Sequence, residues 1–207
     1  MTGPRADVAR AFAVAATRLC LLFGAVFYGI DAYTATRTRL WRLHFDWELA
    51  IPFWPAAYLV YYSVLALPFV VLLLAPDADA VRDWERRMAW AVVVAGGCFL
   101  AFPARLGFAP QDAGTWQALA QTTGWLAGRH NLLPSLHVAL TGVILQAVWP
   151  QASPGTRRAL LAWAAALTAS TLLTHQHHVV DLAAGALLAY AVGRRPRRGG
   201  TGLSSIP

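Results

Sequence analysis

Five of the six histidines in this chain lie between positions 130 and 178: His130, His137, His175, His177 and His178. Asp181 follows His177 by four residues and is the only acidic residue after Asp112; it sits in the apolar run Val179-Val180-Asp181-Leu182-Ala183-Ala184. An ionised carboxylate in such a run needs a partner. On a helix, positions 177 and 181 share one face. A carboxylate on one imidazole nitrogen fixes the tautomer and raises the nucleophilicity of the other nitrogen. A second element is Leu133-Pro134-Ser135-Leu136-His137. Pro134 suits the first position of a helix, which puts His137 in the first turn, where free N–H groups and the positive end of the helix dipole attract an anion. A histidine beside a bound phosphate can serve as a general acid. His177 as nucleophile, Asp181 as its orienting partner and His137 as acid form a set suited to phosphoryl transfer.

The elements that must position these residues are apolar. Hydrophobic residues make up 57% of the 207 positions and charged residues 13%, against about a quarter charged in soluble domains, so the charge deficit points to a bilayer. Six stretches approach spanning length, at about 12–30, 51–75, 88–103, 133–149, 159–175 and 178–194. The expected fold is all-α, a single membrane domain over residues 1–207 built as a six-helix bundle. The last four stretches are short, so a five-span or re-entrant arrangement is the alternative. The basic residues are all arginine and leave a net charge of +7. Arg5, Arg10 and Arg18, then Arg82, Arg86 and Arg87, then Arg157 and Arg158, and the tail arginines from Arg194 all fall on one side of a six-span model. That side is cytoplasmic by arginine bias. The 31–50 segment, the 104–132 loop and a tight turn near 175–178 then share the periplasmic or exterior side of a bacterial-type inner or plasma membrane. Arg37, Arg39 and Arg42 run against the bias, partly balanced by Asp31, Asp46 and Glu48, and the 37–49 segment reads as an amphipathic stretch along the interface.

Other features carry less chemistry. No basic face is interleaved with exposed aromatics, so nucleic-acid binding is not expected. Cys20 and Cys98 read as small buried packing residues, and the first apolar stretch reads as a retained span rather than a cleaved signal. The tryptophans, among them Trp41, Trp47, Trp54, Trp84, Trp116 and Trp149, suit interfacial belts. The tail from about residue 195 reads as disordered.

Pro134-Ser135-Leu136-His137, then Ser170, then His177-His178-Val179-Val180-Asp181, resembles two signature motifs of the type 2 phosphatidic acid phosphatase superfamily. That pattern is P-S-x-H followed by S-R, five residues, H, three residues, D. The resemblance covers about residues 104 to 190. It implies a phosphohistidine at His177, Asp181 orienting it, and His137 protonating the leaving oxygen, without metal or organic cofactor. The implied substrate is a lipid phosphate, and the acceptor is water in a phosphatase or an alcohol in a lipid headgroup phosphotransferase. Ser135, Ser170, Arg105 and Arg129 are the candidate phosphate-binding residues, with His175 and His178 in support and His130 as a loop residue.

The departures from that pattern are specific. The first motif, K, six residues, R-P, cannot be intact without lysine; Phe102-Pro103-Ala104-Arg105-Leu106 is its nearest remnant. Thr171 replaces the arginine of the third motif, and Leu136 stands where many phosphatases carry glycine. These changes, with Thr174-His175-Gln176-His177-His178 and Ile51-Pro52-Phe53, are similar to the inositol phosphorylceramide synthase and sphingomyelin synthase branch. Fewer motif cations should weaken binding of a dianionic phosphomonoester more than of a monoanionic diester, unless Arg129 or the 37–42 arginines restore the charge. Two competing readings stand beside the enzyme. His175, His177, His178 and Asp181 have donor types that suit a transition metal, and the bundle could serve a non-catalytic transporter or metal-binding membrane protein.

Overall fold

The computed structural model describes residues 3–194, and the chain is all-helical there, with no strand among the described residues. Helix α1 (Pro4–Phe23) starts with proline in its first turn and runs through a π-turn (Gly24–Tyr28) into α2 (Gly29–Thr34), making one rod of 31 residues. The next apolar stretch breaks into α3 (Tyr58–Tyr62) and α4 (Pro68–Leu74), bent by 43° at Pro68, since proline removes a ladder hydrogen bond. Helix α5 (Ala78–Ala101) is capped by Asp77, whose carboxylate accepts from the Ala80 N–H at 2.8 Å. Helix α6 (Gln117–Leu126) lies in the long connection to α7 (Leu136–Val148). Helix α8 (Pro154–Leu173) is capped by Ser153 with proline following, and α9 (Val179–Gly193) closes the described chain.

Helix α7 is central, packing on α9, α5, α8 and α4, while α1 pairs with α5. Two glycines set the α7–α9 distance. A Cβ on Gly142 would meet the Ala189 Cβ at 2.6 Å, and one on Gly185 would meet the Ser135 carbonyl at 2.5 Å. Phe12 stacks on the buried Trp84 across the α1–α5 seam at 5.6 Å between centroids.

Among the described residues one helix, Pro4–Thr34, is long and apolar enough to cross a membrane. Counting the bent Pro55–Leu65 and Pro68–Leu74 pair as one span makes two. Helices α7 and α9 are apolar but only 13 and 15 residues long.

Several expectations need correction. Helices α1, α5 and α8 begin earlier than their apolar stretches because their polar first turns remain helical. The 104–132 connection contains α6 rather than loop alone; the 37–49 segment, read as an amphipathic stretch, is irregular chain ending in a 3₁₀ turn at Asp46–Ala50. Cys20 is exposed and Cys98 half-buried, because α1 turns its Cys20 face outward. Trp84 is core rather than belt, whereas Trp41, Trp47 and Trp54 are exposed. The tail expected to be disordered lies outside the described residues.

Candidate active site

The α8–α9 connection folds back on the end of α8. The N–H groups of Gln176 and His177 both donate to the Thr171 carbonyl, at 2.9 and 3.2 Å, and His175 between the helices takes φ 56°. Helix α9 begins at Val179 with His178 as its N-cap, so His177 stands outside the helix. The pair with Asp181 therefore does not come from a shared helical face. Asp181, in the first turn, reaches back so that Oδ2 accepts from the His178 N–H at 2.9 Å and lies 3.4 Å from His177 Nδ1. Both side chains are buried. A carboxylate only accepts, so Nδ1 carries the proton in this contact and Nε2 keeps its lone pair. The other oxygen of Asp181, Oδ1, is buried with no hydrogen-bond partner among the described residues.

His137 enters from α7. Ser135 is the N-cap, and Pro134 precedes it after a cis peptide bond, one residue short of the helix rather than at its first position. His137 is nonetheless in the first turn. Its ring stands edge-on to that of His177, centroids 5.7 Å apart, and rests on Tyr61 at 4.3 Å. The Ser135 N–H donates to the Asp181 carbonyl at 2.9 Å, tying the starts of α7 and α9 together. The Ser135 hydroxyl is buried with no hydrogen-bond partner among the described residues.

A second carboxylate, absent from the sequence reading of the site, lies next to the first. Glu48 is fully buried. Its Oε2 accepts from His178 Nδ1–H at 3.0 Å and the Val179 N–H at 2.9 Å, and its Oε1 from the Phe45 N–H at 3.1 Å. The Gly107 N–H donates to His178 Nε2 at 3.0 Å, which assigns the proton to Nδ1. His178 is sandwiched between His44 and Phe108, and Phe108 stacks in turn on His175, whose Nε2–H donates to the Ile51 carbonyl at 2.9 Å. The signal for Glu48 was present in Trp47-Glu48-Leu49-Ala50-Ile51: like Asp181, it is an acid flanked by apolar residues.

The other candidates are placed differently. Arg105 and Arg129 are exposed, and among the described residues neither guanidinium makes a hydrogen bond or ion pair with His137, His177 or Asp181. Their backbones belong to a knot of loops: the Arg105 N–H donates to the Trp41 carbonyl, and the Arg129 and His130 N–H groups donate to Asp31 Oδ1. Ser170 is buried and its hydroxyl donates to the Leu167 carbonyl; that of Thr171 donates to Thr168. The rings of His175, His177 and His178 go to separate partners, and the described residues gather no group of three or more side chains able to hold a metal. Two open clefts lie at the far end of the bundle, one lined by Arg87, Gln146, Trp149, Tyr190 and Arg194, the other by Arg10, Arg18, Arg82 and Glu85. The chemistry-bearing cluster is the buried one instead.

No family model matches the chain, and no curated protein and no solved structure matches it.

Proposed function

We propose that this chain is an integral membrane phosphoryl-transfer enzyme acting on a lipid phosphate at the outer or periplasmic face. The observation that carries the reading is the His177–Asp181 contact with the His137 ring set edge-on beside it. His177 Nε2 attacks phosphorus, forming a P–N bond as the P–O bond to the leaving group breaks, and His137 delivers its proton to the leaving oxygen. Water or an alcohol then attacks the phosphohistidine, His137 takes the proton of the incoming hydroxyl, and the P–N bond breaks. Throughout, Asp181 holds the proton on Nδ1 and stabilises the ring as it gains positive charge. The N–H groups opening α7 and the Ser135 hydroxyl supply donors toward the phosphoryl oxygens.

The motif resemblance supports the same roles, and six spanning helices in alternating directions fit both the helix order and the arginine distribution. Among the described residues no arginine side chain bonds to His137, His177 or Asp181, although Arg42 bonds to His44, which stacks on His178; a histidine pair without a direct cationic partner suits a monoanionic phosphodiester better than a dianionic monoester.

The test is phosphate release and headgroup transfer across a panel of lipid phosphomonoesters and phosphodiesters, comparing wild type with His177→Ala. Turnover that disappears in the variant supports the reading, and the preferred lipid separates phosphatase from transferase. Turnover that survives His177→Ala, or none in folded wild type, favours a binding or transport protein.

A further inference from the structure

Glu48 reaches the site from 130 residues away in sequence, and its buried side chain joins the 45–48 turn to the head of α9. Three N–H donors converge on it: Phe45 on one oxygen, His178 Nδ1 and Val179 on the other. The start of α9 thereby divides its free N–H groups between two carboxylates. Val179 goes to Glu48 and His178 goes to Asp181. This division matters because the Asp181 contact with the His178 N–H, at 2.9 Å, is tighter than its contact with His177, at 3.4 Å. The orientation of Asp181 is thus set mainly by the peptide at the head of α9. Without Glu48, the Val179 N–H and the buried imidazole of His178 lose their acceptor, and the oxygen of Asp181 is the nearest replacement by sequence.

The same carboxylate fixes the His178 tautomer. With its proton directed at Glu48, His178 accepts from Gly107 and seats Phe108 between itself and His175. An imidazole with the opposite tautomer would set N–H against N–H at Gly107 and a lone pair against the carboxylate at Glu48.

We propose that Glu48 is a positioning residue for His177, acting through His178 and the first turn of α9 to hold Asp181 on the His177 ring. This rests on His177 being the reacting group. The geometry demands an acceptor on both oxygens. In Glu48→Gln one position of the carboxamide becomes NH₂, so an N–H faces either Phe45 or the His178–Val179 pair, whichever way the amide turns.

The experiment compares wild type, Glu48→Gln and Glu48→Asp in detergent micelles. It reads kcat and KM on the best lipid of the panel, and the ¹⁵N resonances of histidine-labelled protein. For folded Glu48→Gln we expect kcat lower by roughly 10- to 100-fold, by analogy with metal-bound histidines that lose an outer carboxylate, with KM within about twofold. We expect the Nδ1 resonances of both His178 and His177 to move, and Glu48→Asp, which keeps the charge, to recover part of kcat. A purely structural role predicts lower folded yield and melting temperature in both variants, with kcat per folded molecule and the His177 resonance unchanged; that result overturns the proposal. If wild type turns over no phosphate ester, the enzyme reading fails on its own. The His177 resonance then decides here: movement in Glu48→Gln supports the positioning role, and an unmoved resonance overturns it.

Discussion

The two nitrogens of His177 differ in their surroundings, and that asymmetry is the basis of its assigned reactivity. Nδ1 faces Asp181, while among the described residues Nε2 has no hydrogen-bond partner. In Asp181→Asn the side-chain oxygen can still accept from the His178 N–H, but it no longer stabilises positive charge on His177, and its NH₂ group can favour the wrong tautomer. We expect phosphoenzyme formation to fall by about 10³- to 10⁴-fold, as in other nucleophilic sites where the orienting carboxylate becomes an amide. Rapid quench with ³²P-labelled lipid reads this directly; a loss below tenfold contradicts the role given to Asp181. Burial also sets a pH dependence. His44, outside the proposed spans, has a folded-state value below the unfolded 6.5, chiefly through desolvation and next through the Arg42 guanidinium. Between the folded and unfolded values the unfolded chain binds more protons, so stability is full above about pH 6.5 and falls as pH drops below it. Thermal melts between pH 8 and 5 should show a falling midpoint on the acid side; a flat profile would count against a neutral His44 imidazole. His137, His177 and Asp181 could be read from the chain because each sits in a local pattern with its own physical signal. Glu48 was harder to assign, since its partners at 178 and 179 come together only through tertiary folding.

At the scale of elements, the site depends on how closely α7 and α9 approach. The Ser135 N–H to Asp181 carbonyl bond and the bare Cα of Gly185 opposite the Ser135 carbonyl occupy the same crossing. Small residues at such crossings let helix backbones come together. In Gly185→Ala the added Cβ would sit 2.5 Å from a backbone oxygen and 3.1 Å from the Val138 Cβ, and backbone cannot move aside as a flexible side chain can. We expect a stability loss of about 1–3 kcal/mol from overpacking, together with reduced kcat as His137 shifts from His177. Gly97, whose Cβ would meet nothing within 4 Å, supplies the control. If Gly185→Ala matches Gly97→Ala in melting temperature and turnover, the crossing is not what aligns the histidines. Helix order was legible from the apolar runs, as were the starts of α7 and α9 to within three residues. The π-turn and the early starts of α5 and α8 were not, because they follow from packing and from charged turns that remain helical. Val26 and Ile30, for example, occupy the space over Gly96 on α5.

At the scale of the molecule, the described charges divide between the two ends. The end bearing the α4–α5 and α7–α8 links carries nine arginines against five acids, and the site end carries five against five. Under the proposed membrane reading, arginine retention on the cytoplasmic side would direct the site outward. Length adds a second constraint. At about 1.5 Å per residue, α7 and α9 rise only about 20 and 22 Å, less than the roughly 30 Å of bilayer hydrocarbon. If their distal ends align with the basic end of α1, their N-termini and the histidine pair sit below the outer surface, at a depth a lipid phosphate could reach from the side. Exposed Trp41, Trp47, Trp54 and Trp125 at the same end suit the headgroup layer above them. The orientation is testable with Gln111→Cys and Gln151→Cys, each in a Cys20→Ala, Cys98→Ala background; both positions are exposed, one on the site-end connection and one between α7 and α8. A membrane-impermeant maleimide added to intact cells should label position 111, and position 151 only after permeabilisation. The reverse pattern inverts the topology. Labelling of both positions in intact cells means that the bundle does not separate its two ends across a bilayer, and the lateral route for a lipid substrate falls with it.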